Sequence, residues 1–75
     1  MNRLTVPVEG SKNVKAVTYD YDTSSLQVDF HRGSYVYLDV PREVFRGLFE
    51  AESKGKYIKA FIEGKFESFA GSLES

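Results

Sequence analysis

Residues 14–39, VKAVTYDYDTSSLQVDFHRGSYVYLD, hold three runs, 14–21, 26–30 and 35–39, in which β-branched and aromatic residues alternate with polar ones. A period of two places successive side chains on opposite faces of a strand, so each run predicts a β-strand. The runs are separated by Asp22-Thr23-Ser24-Ser25 and His31-Arg32-Gly33-Ser34. Links of that length and turn chemistry predict two antiparallel hairpins. They also set a register: Tyr21 opposite Leu26, Tyr19 opposite Val28, Val17 opposite Phe30, then Phe30 opposite Tyr35 and Val28 opposite Tyr37. One face of this meander collects Val17, Tyr19, Tyr21, Leu26, Val28, Phe30, Tyr35 and Tyr37. The other carries Thr18, Asp20, Gln27, Asp29 and His31, together with the apolar Val36 and Leu38.

After the third strand, Pro41 suits the first turn of a helix, where its missing N–H removes no bond. Val44, Phe45, Leu48 and Phe49 then recur at helical spacing and predict a helix over about 41–53. Gly55, in Ser53-Lys54-Gly55-Lys56, breaks that pattern, and Tyr57, Ile58, Phe61 and Ile62 predict a second short amphipathic helix ending near Gly64. Ahead of the meander Leu4, Val6 and Val8 alternate as well, and Pro7 restricts them to at most an edge strand. Residues 66–75 are expected to pack one aromatic side chain and then fray. The fold class expected is α+β: a three-stranded antiparallel meander, with a fourth N-terminal strand only at its edge, followed by two short helices packed on one face.

A chain of 75 residues makes one domain, 1–75, and commits most of its large apolar side chains to a single core. The absence of cysteine removes disulfides, thiol nucleophiles and thiolate metal sites, and the chain is expected in the cytoplasm. Its apolar runs are far shorter than the roughly 20 residues that span a bilayer, and MNRLTVPVEG lacks the apolar region of a signal peptide, so no membrane role is expected. Ten basic against eleven acidic residues give a net charge of −1, which leaves electrostatic recognition of nucleic acid to a local patch.

Catalytic patterns are sparse. His31 is the single histidine, too few soft ligands for a zinc site, and it reads as an exposed turn residue. Asp20-Tyr21-Asp22-Thr23-Ser24 starts like a calcium loop, but Ser25 and His31 stand where the turn glycine and the bidentate glutamate belong. Neither Gly55-Lys56 nor Gly64-Lys65 has the second glycine and the hydroxyl residue of a phosphate loop. Asp20 and Asp29 fall diagonally on the polar face without apolar neighbours that would raise a carboxyl pKa. The chain is therefore expected to be no enzyme and to carry neither cofactor nor metal.

Charge placement points elsewhere. Lys54, Lys56, Lys59 and Lys65 fall close together with only Glu63 among them, and Arg42 and Arg46 project from the polar side of the first helix. Such a patch suits a phosphate backbone, with Tyr57, Tyr35 and Tyr37 as stacking surfaces beside it. The candidate RNA-binding set is thus Tyr35, Tyr37, Arg42, Arg46, Lys54, Lys56, Tyr57, Lys59 and Lys65. For the tyrosines a second reading stays open, in which both rings pack under the helices with their hydroxyls at the rim of the core. The alternative partner is a protein or a second copy, met by Val36 and Leu38 on the polar face or by an unpaired strand edge.

Finally, the run Val17, Tyr19-Asp20, Leu26, Val28, Phe30, Gly33, Tyr35-x-Tyr37, Val40-Pro41, Val44, Leu48, Ala51, Ser53, Gly55, Tyr57 and Ile62 closely resembles the KTSC domain. That module is named for the C-terminus of some lysyl-tRNA synthetases and also occurs as a free-standing small bacterial protein. The resemblance covers about residues 11–66, implies no catalytic residues, and suggests RNA through the synthetase connection. Ile58 and Lys59 depart from it, standing where the family tends to have an aromatic and an asparagine.

Overall fold

A computed structural model describes residues 2–73. The expected meander lies at its centre as β2 (Val14–Asp20), β3 (Ser25–Phe30) and β4 (Gly33–Tyr37). An N-terminal strand, β1 (Arg3–Pro7), extends the sheet beside β2, and a short β5 (Ser68–Ala70) extends it beside β4. All neighbours are antiparallel, in the order β1-β2-β3-β4-β5. Between β4 and β5 in the chain, helices α1 (Arg42–Glu50) and α2 (Lys54–Phe61) pack on one sheet face. The sheet thus has five strands where the sequence predicts three or four. β5 escapes the pattern because it is three residues long and exposed throughout, so it has no buried alternation to read.

The partition of faces follows the prediction, but the register is shifted by two residues in both hairpins. Tyr19 pairs with Leu26 and Val17 with Val28 across the first; Val28 pairs with Tyr35 and Leu26 with Tyr37 across the second. The Asp20 carboxylate accepts from Asp22 N at 2.9 Å and Thr23 N at 3.3 Å, which starts the first turn one residue early. Ser24 closes that turn with a φ of 58°. In the second hairpin Gly33 already pairs with Phe30, leaving His31-Arg32 as the link. Its φ of 154° is a backbone state that residues bearing a Cβ rarely adopt. Because each slip is an even number of residues, the side chains paired between Val17 and Tyr37 stay on their predicted faces.

The core between sheet and helices is built from Val14, Val17, Tyr19, Leu26, Val28, Tyr37, Val40, Phe45, Leu48, Ile58 and Ile62. Val14 joins it through a bulge between Val14 and Ala16, which changes the strand's alternation before Val17. The first helix ends sooner than predicted, with Ala51 extended at its end, and Gly55 lies inside α2 instead of breaking the chain. Ser53 decides this: its Oγ accepts from Lys56 N at 3.3 Å, an N-cap that outweighs a glycine in the first turn. Phe66 packs against the core as expected, and β5 then holds the chain that was expected to fray; residues 74–75 lie outside those described.

On the opposite face, Val36 is fully buried within the chain, which corrects its assignment to a partner surface. It stands between Gln27 and Phe69 in the register, and the segment after β5 returns over Gln27, whose Oε1 accepts from Leu73 N at 2.7 Å. Leu38 is half-buried, with its N–H donated to Glu67 O at 2.8 Å. Neither side chain offers the open apolar face that the partner reading requires.

At the β1–β2 end Arg3 Nε donates to Asp20 Oδ2 at 3.0 Å. This guanidinium, aided by the two turn N–H groups, holds the Asp20 carboxyl below its ordinary value against the opposing effect of burial. A carboxyl lowered by folding contributes stability above its unfolded pKa, and that contribution is lost as pH falls through its folded value. Acid titration of stability is therefore expected to fall below about pH 4, and to fall less steeply in Asp20→Asn. Equal acid slopes in the two proteins, followed by circular dichroism in urea, would contradict the assignment.

Candidate nucleic-acid interface

Antiparallel topology brings the link between β3 and β4 beside the residues that precede β2: His31 N donates to Asn13 O at 2.9 Å. The loop there is held by Ser11, whose Oγ accepts from Asn13 N at 3.3 Å and Val14 N at 3.1 Å. Against this loop lies the first turn of α2, where a Cβ on Gly55 would stand 3.9 Å from Ser11 Oγ. A groove of about 690 Å³ follows one side of that junction and holds Lys12, Lys54, Lys56 and Lys59, with Glu9 and Glu52. A second, of about 520 Å³, follows the other side and holds Lys12, His31, Arg32, Tyr35, Lys59 and Glu63. Lys12, Asn13, Gly55 and Lys59 belong to both grooves, so a basic track passes from one to the other.

Within the predicted set, Lys54, Lys56 and Lys59 come together in the first groove and Tyr35 joins Lys59 in the second, while Tyr37, Arg42, Arg46, Tyr57 and Lys65 line neither. Lys56 and Lys59 are exposed. Lys54 is also part of the scaffold, because its Nζ donates to Phe49 O at 3.0 Å and Ala51 O at 2.8 Å and so satisfies carbonyls at the end of α1. Lys65 is exposed beyond α2 and lines neither groove. Arg42 and Arg46 face a different hollow, with Leu4, Tyr21, Phe45 and Phe49. There the Arg42 guanidinium stands 5.5 Å over the Tyr21 ring, and Arg46 Nε lies 3.7 Å from Glu50 Oε2.

The tyrosines divide. Tyr35 keeps 44% of its surface exposed, whereas Tyr37 keeps 5% and belongs to the core, which removes it as a stacking surface. Burial pushes the Tyr37 phenol above its ordinary pKa, with the negative charge of Glu63 adding to the shift. Tyr57 is a strut rather than a platform: its Oη donates to Val44 O at 3.0 Å and its ring meets Phe61 at 4.8 Å. Sequence reasoning missed Lys12, Asn13 and Arg32, and took His31 only as an exposed turn. The available signal was the meander itself, which sets the 31–32 link beside the residue preceding β2.

The KTSC domain model matches residues 10–66, spanning β2 to the end of α2 and the basic side chains of both grooves. This chain belongs to the KTSC domain family. A curated protein of Tsukamurella paurometabola is 37% identical over 65 residues, covering 85% of this chain and 96% of that protein. A lysine–tRNA ligase of Trichormus variabilis is 42% identical over 55 residues, which is 72% of this chain and 10% of the ligase. The crystal structure of a KTSC domain protein from Yersinia pestis aligns with a TM-score of 0.86 at 30% identity, covering 95% of this chain and all of that one. Relative to the family model, β1 and β5 of this KTSC domain lie outside the matched residues. Among the described residues no helix is long and apolar enough to cross a membrane.

Proposed function

We propose that this KTSC domain is a binding module for RNA that catalyses no reaction on it. The observation that carries the reading is the convergence of Lys12, Lys56 and Lys59, from two separate stretches of sequence, along the joined grooves. Local positive charge on a chain of net charge −1 is the arrangement that recognises a phosphate backbone without a strong overall field. The similarity to a segment of a lysine–tRNA ligase lends support.

Fluorescence anisotropy with a short mixed-sequence RNA tests the reading. Affinity is expected to fall with salt, by a log–log slope of roughly −0.7 for each phosphate neutralised on a single strand. The double change Lys56→Glu and Lys59→Glu is expected to weaken binding by about tenfold or more at low salt and to flatten that slope. Lys65→Glu, outside both grooves, is expected to have the smaller effect. Affinity indifferent to both salt and the double charge reversal would refute the proposal.

A second reading, a protein partner, is favoured by Leu4 and Phe49, 42% and 50% exposed, which border the hollow that holds Arg42 and Arg46. Sedimentation across a range of concentrations, with Phe49→Ser as comparison, separates it from the first. A strict monomer that captures no protein would count against it.

A further inference from the structure

We propose that the joined grooves take single-stranded rather than duplex RNA, with one unpaired base stacked on the ring of Tyr35. This rests on the RNA reading above and names the form of RNA that the site accepts.

Tyr35 sits on the helix-covered face of the sheet yet keeps 44% of its surface open, because the helical layer stops short of it. Its ring is braced by Phe30, with centroids 6.2 Å apart and planes at 78°, an edge-to-face contact that holds a ring in place. It shares the second groove with Arg32 on the β3–β4 link and Lys59 on α2. A braced, exposed aromatic ring in a groove that also holds cations suits an unpaired base whose phosphates are neutralised nearby. Against an A-form duplex the ring has no partner, because the bases there are stacked on one another and the protein meets sugars and phosphates.

The acidic residues favour the same choice. Glu9 and Glu52 line the first groove and Glu63 the second, alongside the basic side chains. One phosphate row is met by Lys56, Lys59, Lys12 and Arg32 in these grooves. A duplex brings a second row of negative charge to grooves that already hold three carboxylates, which oppose it.

The test uses the whole chain, an eight-nucleotide single strand and the same strand annealed to its complement, by anisotropy at low salt, with Tyr35→Phe and Tyr35→Ala. Both variants alter an exposed ring, and their amide NMR spectra report whether the fold is kept. The single strand is expected to bind more tightly than the duplex. Tyr35→Ala is expected to weaken single-strand binding by about five- to a hundredfold, the range of one base–aromatic stack, with Tyr35→Phe near the wild type and duplex binding unmoved. Duplex affinity equal to or above that of the single strand, or a folded Tyr35→Ala that binds the single strand as the wild type does, overturns this inference while leaving RNA binding intact. Failure of both RNAs to bind overturns this inference and the function it rests on together.

Discussion

Replacing Tyr19 by alanine is expected to remove roughly half of this domain's stability. Tyr19 is fully buried, and its ring lies parallel to that of Phe45 on α1, with centroids 4.8 Å apart, and edge-on to Tyr21 at the same distance. Removing a buried aromatic ring costs about 3–5 kcal/mol. A domain of 75 residues has roughly 4–11 kcal/mol in total, at about 0.05–0.15 kcal/mol per residue. The hydroxyl adds a separate contribution, because Tyr19 Oη donates to Val40 O at 2.5 Å in the buried corner where β4 gives way to α1. Val40 is tied on its other side as well, its N–H donated to Ser24 O at 2.8 Å. Tyr19→Phe keeps the ring and strands that carbonyl, so a loss of about 1–3 kcal/mol is expected. Urea unfolding followed by circular dichroism measures both. A Tyr19→Phe protein as stable as the wild type would show that the carbonyl finds another donor and that the corner does not depend on this bond.

The second large effect is expected at Gly47, and its sign runs against helix propensity. Alanine inside a helix is ordinarily about 1 kcal/mol better than glycine. Here a Cβ on Gly47 would overlap Tyr57 Oη and stand 2.9 Å from Cζ of the same ring. That hydroxyl is held in place by Val44 O on α1, so the phenol crosses α1 in the notch that the glycine leaves. Gly47→Ala must push the ring out or pry α2 from α1, and overpacking of this kind costs about 1–3 kcal/mol. In a Tyr57→Ala background the obstacle is gone, and Gly47→Ala is expected to stabilise instead. This reversal of sign in a double-mutant cycle reports the contact itself and not a general loss of packing. If Gly47→Ala stabilised the otherwise unaltered protein, the notch would be shown to be dispensable. The pair also bears on the proposed site, since Tyr57 lies on α2 between Lys56 and Lys59, and a tilt of that helix moves both lysines along the groove.

Binding depends on side chains that the chain order keeps apart, so its legibility differed from that of the fold. Lys54, Lys56 and Lys59 are close in sequence, and their proximity in space follows from lying on one short helix. Arg42 and Arg46 appear in the same basic count, yet α1 turns them toward Leu4 and Tyr21 and away from α2. Lys12 and Arg32, more than 20 residues from the lysine cluster, join it only because the start of β2 and the β3–β4 link meet at one end of the sheet. Tyr35 and Tyr37 are indistinguishable by alternation, since both point to the same face. What separates them is the extent of helical cover, a property of how α1 and α2 dock.

From the sequence alone follow the three central strands, the two helices, the α+β class and the sorting of side chains between faces, because these rest on local periodicity and on turn residues acting over a few positions. The slip of each hairpin by two residues is local as well, though alternation cannot register an even shift: it was decided by a carboxylate that bonds its own turn and by a glycine that shortens the next. The bulge that admits Val14, the strand at Ser68–Ala70 and the burial of Val36 belong to the tertiary structure. They depend on which groups meet across the sheet, where backbone donors and acceptors far apart in the chain must find partners and apolar side chains must find cover.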